Sequence, residues 1–157
     1  ATAPQLPCLI AGSLAEVGMS VDKPSPYWYE ITNFGYNNHM WYTCSNGATA
    51  TYWARWTPTL SSSGTYEVQV YIPNNYATTH AARYSVRHAN GTQTVIVDQH
   101  DTYGSGGGRW VSLGRYSFNT TSGYVEVSDA AYIPGNYTEP ASCTYKIGVD
   151  AVRWIKN

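Results

Sequence analysis

The ionisable side chains with the greatest chemical potential lie in one short stretch, Asp98-Gln99-His100-Asp101. Together with His80 or His88, these carboxylates and imidazoles are the residue types that hydrolysis or metal binding would need. Asp98 and His100 would share one face of a strand, because side chains alternate along an extended chain. Polar residues at a strand end, however, more often form turns. We therefore predict no catalytic residue, no metal and no cofactor.

Other catalytic patterns are weak. The glutamates are isolated in sequence and form no evident acid–base pair; they are Glu16, Glu30, Glu67, Glu126 and Glu139. The Gly-x-Ser-x-Gly motif of serine hydrolases is missing from the sequence. The glycine-rich stretch 105–108 precedes a predicted strand and not a helix, which argues against a phosphate-binding loop. The sequence thus predicts a protein that is not an enzyme.

Composition limits the partners. The chain has 157 residues, enough for one domain, with 12% charged residues and a net charge of −1. Without a basic surface a nucleic acid partner is not expected. An apolar run of the roughly 18 residues that span a bilayer is also missing. The start at Ala1 without a methionine fits a mature exported product, so we expect an extracellular or cell-surface location.

Alternating apolar and polar residues dominate the middle of the chain. They indicate antiparallel strands, and Asn90-Gly91 between two such runs predicts a hairpin with a type I′ turn. The predicted strands are one within 19–28 and those at 48–56, 65–72, 82–88, 92–98, 109–118, 122–128 and 147–155. About eight or nine strands with turn signals between them are typical of an all-β fold, a single antiparallel two-sheet sandwich of jelly-roll type.

The three cysteines predict one disulfide bond. Cys44 and Cys143 lie in loop-like stretches that flank the first and last core strands, so we expect them to pair. In the chain-entropy model such a bridge contributes up to ~4.7 kcal/mol. Cys8 then remains as a free thiol or an intermolecular link. Zinc binding is disfavoured, because these cysteines are too far apart in sequence.

Three N-glycosylation patterns begin at Asn90, Asn119 and Asn136. The predicted turn already explains Asn90, which leaves Asn119 and Asn136 as possible glycosylation sites.

Residues 1–13 form an N-terminal extension with a short apolar block. Leu6, Cys8, Leu9 and Ile10 could mediate self-assembly if the extension pairs with an open sheet edge of another copy. Alternatively the extension packs on its own domain or is disordered.

The aromatic composition is unusual: fifteen Tyr and six Trp accompany only two Phe. Tyr and Trp keep one polar end, so many of these rings should lie near water, either around the rims of a sandwich or on a surface for stacking. Our candidates for stacking on sugars are Trp28, Trp41, Trp53 and Trp110.

Six ordered sequence blocks resemble one known family. They are Trp56-Thr57-Pro58, Gly64–Pro73, Tyr84–Gly91, Val97-Asp98-Gln99, Arg109–Gly114 and Asp150–Trp154. From about Ala50 to Ile155 the chain resembles the golvesin C-terminal-like domain, a β-sandwich module found in secreted bacterial proteins that include xanthan lyases. The resemblance implies a golvesin-like sandwich over 14–157 and a non-catalytic accessory role, with no agreed site to transfer. In that family Val97-Asp98-Gln99 would form a strand end.

Two functional hypotheses remain. The favoured one is an extracellular structural subunit that binds copies of itself, with a filament formed through its N-terminal extension as one form of the assembly. The alternative is an accessory module that binds an extracellular polysaccharide through exposed Trp and Tyr rings. A hydrolase is the least favoured.

Overall fold

The computed structural model describes residues 13–19, 28–58, 60–104 and 108–156, and nearly all of them belong to antiparallel strands. The strands in the described ranges are β1 (Ser13–Met19), β2 (Tyr29–Thr32), β3 (His39–Asn46), β4 (Tyr52–Pro58), β5 (Gly64–Ile72), β6 (Ala82–His88), β7 (Gly91–Val97), β8 (Arg109–Phe118), β9 (Tyr124–Ile133), β10 (Tyr137–Thr138), β11 (Ala141–Val149) and β12 (Val152–Lys156). A short helix, α1, spans Gln99–Gly104, and a 3-10 turn spans Tyr36–Asn38. Within these ranges no helix has the length and apolar character of a membrane span.

The first layer is one sheet with the strand order β1-β4-β9-β6-β7, and β10 adds to β9. The second layer consists of two smaller sheets, β11-β3-β2 and β12-β5-β8. These two sheets are joined by the chain itself, because only Asp150 and Ala151 separate β11 from β12. The Ala151 carbonyl accepts a hydrogen bond from the Tyr71 N–H at 2.8 Å, which attaches this junction to β5.

The core lies between the two layers. Along β5, buried residues alternate with half-buried or exposed ones, and the buried ones are Tyr66, Val68, Val70 and Ile72. They join one cluster with side chains from the first layer, such as Trp56, Tyr84 and Val127, and with Ile147 and Val149 of β11. Each fully buried aliphatic side chain contributes roughly 1.5–3 kcal/mol by leaving water. The predicted all-β sandwich is therefore confirmed.

Several details of the prediction were wrong. The stretch 28–41, for which no strand is predicted beyond residue 28, contains β2 and the start of β3. The first strand was predicted within 19–28, but β1 ends at Met19. The hairpin between β6 and β7 exists, but its turn is Ala89-Asn90, and of the residues 89–91 only Gly91 has a positive φ. Asp98 and His100 do not share a strand face, since Gln99 begins α1.

Gln99 anchors α1 to the core. Its amide is fully buried, and its Nε2 donates to the Gly148 carbonyl at 2.7 Å and to the Tyr84 hydroxyl at 2.9 Å. Its Oε1 accepts the Gly148 N–H at 3.0 Å. The side chain thus pairs with the backbone of β11 as a neighbouring strand would. Gly148 is required there, because a Cβ would lie 2.7 Å from that of Ala77.

The predicted disulfide bond is present between Cys44 of β3 and Cys143 of β11, with the two Cα atoms 4.5 Å apart. The two cysteines are 99 positions apart in the sequence, so the bond closes most of the chain into one loop.

We expect Gln99→Ala to lower the free energy of unfolding by about 2–4 kcal/mol, because buried backbone and hydroxyl groups lose their partners. Urea denaturation measures the change. Gln93→Ala is the matched control, since Gln93 is exposed on β7, and should change stability by less than about 0.5 kcal/mol. Equal effects of the two substitutions would contradict the anchoring role.

We expect the double variant Cys44→Ala/Cys143→Ala to lose about 2–4 kcal/mol of stability, since its unfolded state regains the entropy that the bridge removes. Urea denaturation without reductant is the measurement, and Cys8→Ser is the control. A loss below about 0.5 kcal/mol would show that the bridge adds little.

Candidate functional site

The outer side of the sheet β12-β5-β8 bears a cluster of rings around Trp110. Tyr71 occupies an outward position of β5 and pairs across the sheet with Trp110 of β8, with ring centroids 5.2 Å apart. Tyr36 packs on both at 5.5 and 5.6 Å. The Arg153 guanidinium lies 4.1 Å from the Trp110 ring centroid. We refer to Tyr36, Tyr71, Trp110 and Arg153 as the Trp110 cluster.

Charged and polar side chains lie beside these rings on the same outer side of the sheet. Arg153 donates from Nε to Gln69 at 2.7 Å, and Gln69 donates to Glu67 at 3.1 Å. Hydrogen bonds from Gln69 and then Ser112 lower the pKa of Glu67, and the positive charges of Arg115 and Arg153 act in the same direction. The face therefore offers a persistent carboxylate acceptor beside a guanidinium donor.

A second group of rings, the tyrosine row, lies on the sheet β11-β3-β2. Tyr29 and Tyr42 are directly opposite each other on β2 and β3 and stack with centroids 5.0 Å apart. Tyr76 stacks on Tyr42 at 5.0 Å and 8°, and Phe34 meets Tyr76 edge-on at 6.0 Å. Burial, and then the neighbouring phenols of Tyr29 and Tyr76, raise the pKa of Tyr42. The Tyr42 hydroxyl therefore remains a protonated donor near neutral pH.

The backbone at the tyrosine row is strained. Tyr76 has a φ of 57°, an uncommon value for a bulky side chain. The Asn75 side chain accepts the Tyr76 N–H at 3.0 Å and helps to hold this conformation. Such strain persists where surrounding contacts fix it, and it often marks a binding site.

One loop, residues 33–38, connects the two ring groups, because it supplies Phe34 to the row and Tyr36 to the cluster. The Tyr36 N–H donates to the buried Asp150 carboxylate at 2.6 Å. Gly35 has a φ of 86° and leaves room beside Asp150 that a Cβ would fill. The Trp110 cluster and the tyrosine row together form what we call the aromatic surface.

The aromatic surface has the chemistry of a carbohydrate platform. Ring faces and edges can cover the apolar C–H side of a sugar, while phenols, Arg153 and Glu67 can bond its hydroxyls. Tyr29 and Phe34 are 40% and 37% exposed. Contiguous exposed apolar patches on a protein surface are often interaction sites.

The four tryptophans proposed from the sequence have different positions. The prediction that Trp28 is exposed was wrong. Trp28 is 6% exposed, and its indole N–H donates to the Trp53 carbonyl at 3.1 Å. Trp41 is half-buried, with its indole nitrogen enclosed. Trp53 lies on the outer side of β4, in the other layer, with the Arg55 guanidinium 5.2 Å from its ring centroid. Only Trp110 belongs to the aromatic surface.

The remaining predicted residues have separate outcomes. The self-assembly residues Leu6, Cys8, Leu9 and Ile10 lie outside the described residues. Asn119 and Asn136 are exposed in loops, so their glycosylation stays a prediction. Asn119 uses its Oδ1 as an acceptor for the N–H groups of Thr121 and Ser122 at 3.0 Å.

Sequence reasoning missed the tyrosines of the surface. The excess of Tyr over Phe indicated rings near water but did not identify which ones would meet. Tyr76 follows β5 and reaches Tyr42 of β3 only through the tertiary fold.

Comparisons with known proteins agree with this fold. The chain is 42% identical to the xanthan lyase of Bacillus sp. (strain GL1) over 67 residues, which is 43% of this chain and 7% of the relative. The solved structure of a Paenibacillus xanthan lyase matches 91% of this chain with a TM-score of 0.64 at 24% identity, over 13% of its own length. The chain thus corresponds to a small part of each of these proteins.

A family comparison matches residues 22–138 with the golvesin C-terminal domain, well over half of the chain. The matched span begins earlier than the resemblance found in the sequence blocks, and it ends before Asp150–Trp154. The chain therefore belongs to the golvesin C-terminal domain family.

Proposed function

We propose that this domain is a non-catalytic module that binds polysaccharide through the aromatic surface. The observation that supports the proposal best is that two groups of packed rings, the tyrosine row and the Trp110 cluster, lie on the outer side of the second layer and share the 33–38 loop. Its relatives carry the name xanthan lyase, so the ligand class we propose is an extracellular polysaccharide such as xanthan.

The surface is suited to a chain of sugars more than to one small molecule. Two ring groups joined by the 33–38 loop offer successive stacking positions, and the positions between them carry hydrogen-bonding groups. Their rings are already packed on one another, so binding requires little ordering of side chains.

We also propose that the domain acts outside the cell. The disulfide bond supports this location, because such bonds persist in oxidising compartments. Exposed Asn119 and Asn136 would be accessible to glycosylation there.

A second candidate function is self-assembly, and the edge strand β7 favours it. Among the described strands β7 pairs with β6 alone. Its sequence, GTQTVIV, contains no charged residue, and Ile96 is 36% exposed. The other described edge strands longer than two residues each carry a charge: Glu16 in β1, Glu30 in β2, Arg109 and Arg115 in β8, Lys146 in β11, and Arg153 and Lys156 in β12. An uncharged edge is a template for strand addition, and the apolar block Leu9-Ile10 is the segment we propose for it.

We expect Trp110→Ala to lower the affinity for xanthan about fivefold or more, since a central aromatic contact commonly contributes over ~1 kcal/mol. Affinity electrophoresis in gels with increasing xanthan measures the change. Trp53→Ala is the matched control, because this half-buried Trp also lies near an Arg but in the opposite layer. Unretarded wild-type protein, or equal losses in both variants, would contradict the proposal.

For self-assembly, deletion of residues 1–12 and the substitution Ile96→Lys should each reduce any oligomer to monomer. The deletion removes the docking segment, and the lysine places a charge on the accepting edge. Light scattering at matched concentrations is the measurement, and Ser117→Lys on β8 is the control. Assembly that survives both changes would exclude this mode.

A further inference from the structure

A cluster of metal-binding residue types lies apart from the aromatic surface, at the end of the first layer beside α1. The side chains of His80, Asp98 and His100 each offer a ligand atom, and these atoms all lie within 4.8 Å of one another. Nδ1 of His80 is 3.1 Å from Oδ2 of Asp98, and the two imidazole rings have centroids 4.4 Å apart. The side chains of His80 and Asp98 are 38% and 44% exposed, so an ion in solution can reach them.

The three residues come from two chain segments, one with His80 and one with Asp98 and His100, which a backbone hydrogen bond holds together. His80 precedes β6, Asp98 follows β7, and His100 is in α1. The His100 N–H donates to the Thr79 carbonyl at 3.0 Å, next to His80. The Asp98 Oδ1 accepts the Asp101 N–H at 2.9 Å, which leaves Oδ2 directed at His80.

A buried carboxylate, that of Glu139, holds the loop that contains His80. Glu139 is 1% exposed and accepts the His80 N–H at 2.6 Å and the Thr79 hydroxyl at 2.6 Å. It also accepts the Tyr137 hydroxyl at 3.0 Å, and burial together with this bond raises the pKa of Tyr137. Glu139 therefore fixes the loop that presents His80 and adds negative potential beside a cation site.

From this donor set we infer that His80, Asp98 and His100 bind a zinc ion. Two imidazole nitrogens and one carboxylate oxygen suit zinc, whereas calcium and magnesium prefer oxygen ligands alone. Tetrahedral zinc with bonds of about 2.0–2.1 Å places its ligand atoms roughly 3.3 Å apart, close to the His80–Asp98 separation. His100 is exposed, so its side chain is free of the core packing that would prevent it from rotating toward the ion.

The fourth zinc position would face solvent in an open groove. Ile133, Tyr137 and Tyr145 line this groove of ≈ 380 Å³ together with His80 and Asp98. A water molecule or an anionic group of a ligand can occupy that position. This inference departs from the sequence expectation of no metal, which rested on treating the stretch as a turn.

Isothermal titration of metal-free protein with zinc sulfate tests the inference. The experiment uses the Cys8→Ser background, so that the thiol does not contribute a ligand. We expect one equivalent of zinc to bind, calcium to give no heat, and zinc to raise the thermal unfolding midpoint. His100→Gln removes an exposed ligand outside the core and should weaken zinc binding at least about tenfold.

His88→Gln is the matched control, because His88 stacks on Tyr116 away from the cluster and should leave the affinity unchanged. In NMR spectra, zinc should shift the imidazole signals of His80 and His100 and not those of His39 and His88. Circular dichroism checks that each variant is folded. Absent zinc binding, or equal affinity in His100→Gln and His88→Gln, would overturn the inference.

Discussion

The short connection between β11 and β12 holds together the two sheets of the second layer. Over four residues the chain leaves the sheet of β3 and joins that of β5, and three of these residues are held by hydrogen bonds to other elements. Gly148 pairs with the Gln99 amide, the Asp150 carbonyl accepts the Trp56 indole N–H at 3.0 Å, and the Ala151 carbonyl accepts the Tyr71 N–H. Through Gln99 this junction also holds α1, the helix that contains His100. The two proposed sites thus depend on one short stretch of backbone.

The same junction orients the aromatic surface. The Asp150 carboxylate accepts the backbone N–H of Tyr36. The Tyr71 ring packs on Trp110, and β12 places the Arg153 guanidinium over the Trp110 ring. The inner sides of the layers already bury a full core, with residues such as Trp56, Tyr84 and Phe118. The outer rings are not part of this core. Their mutual packing and the strained backbone at Tyr76 are the observations on which the proposed binding role rests.

The sequence predicted the parts of the fold whose side chains alternate cleanly. β5 and β6 bury every second residue, and both strands were anticipated, as were the hairpin and the Cys44–Cys143 bond. β3 was missed because neighbours on both sides bury much of it, which removes the alternation. Helix α1 has six residues, too few for a helical period to be visible. Tryptophan type alone could not separate Trp28, which points inward, from Trp110, because their directions are set by strand register and by the bond from Trp28 to Trp53.

We propose that a polysaccharide binds the aromatic surface on the outer side of the second layer. The most direct measurement is to record the six tryptophan indole N–H signals of ¹⁵N-labelled protein during titration with soluble xanthan oligosaccharides. We expect the Trp110 signal to shift with saturation while the Trp53 signal stays in place. A shift of Trp53 with Trp110 unchanged, or no shift of either at high oligosaccharide concentration, would contradict it.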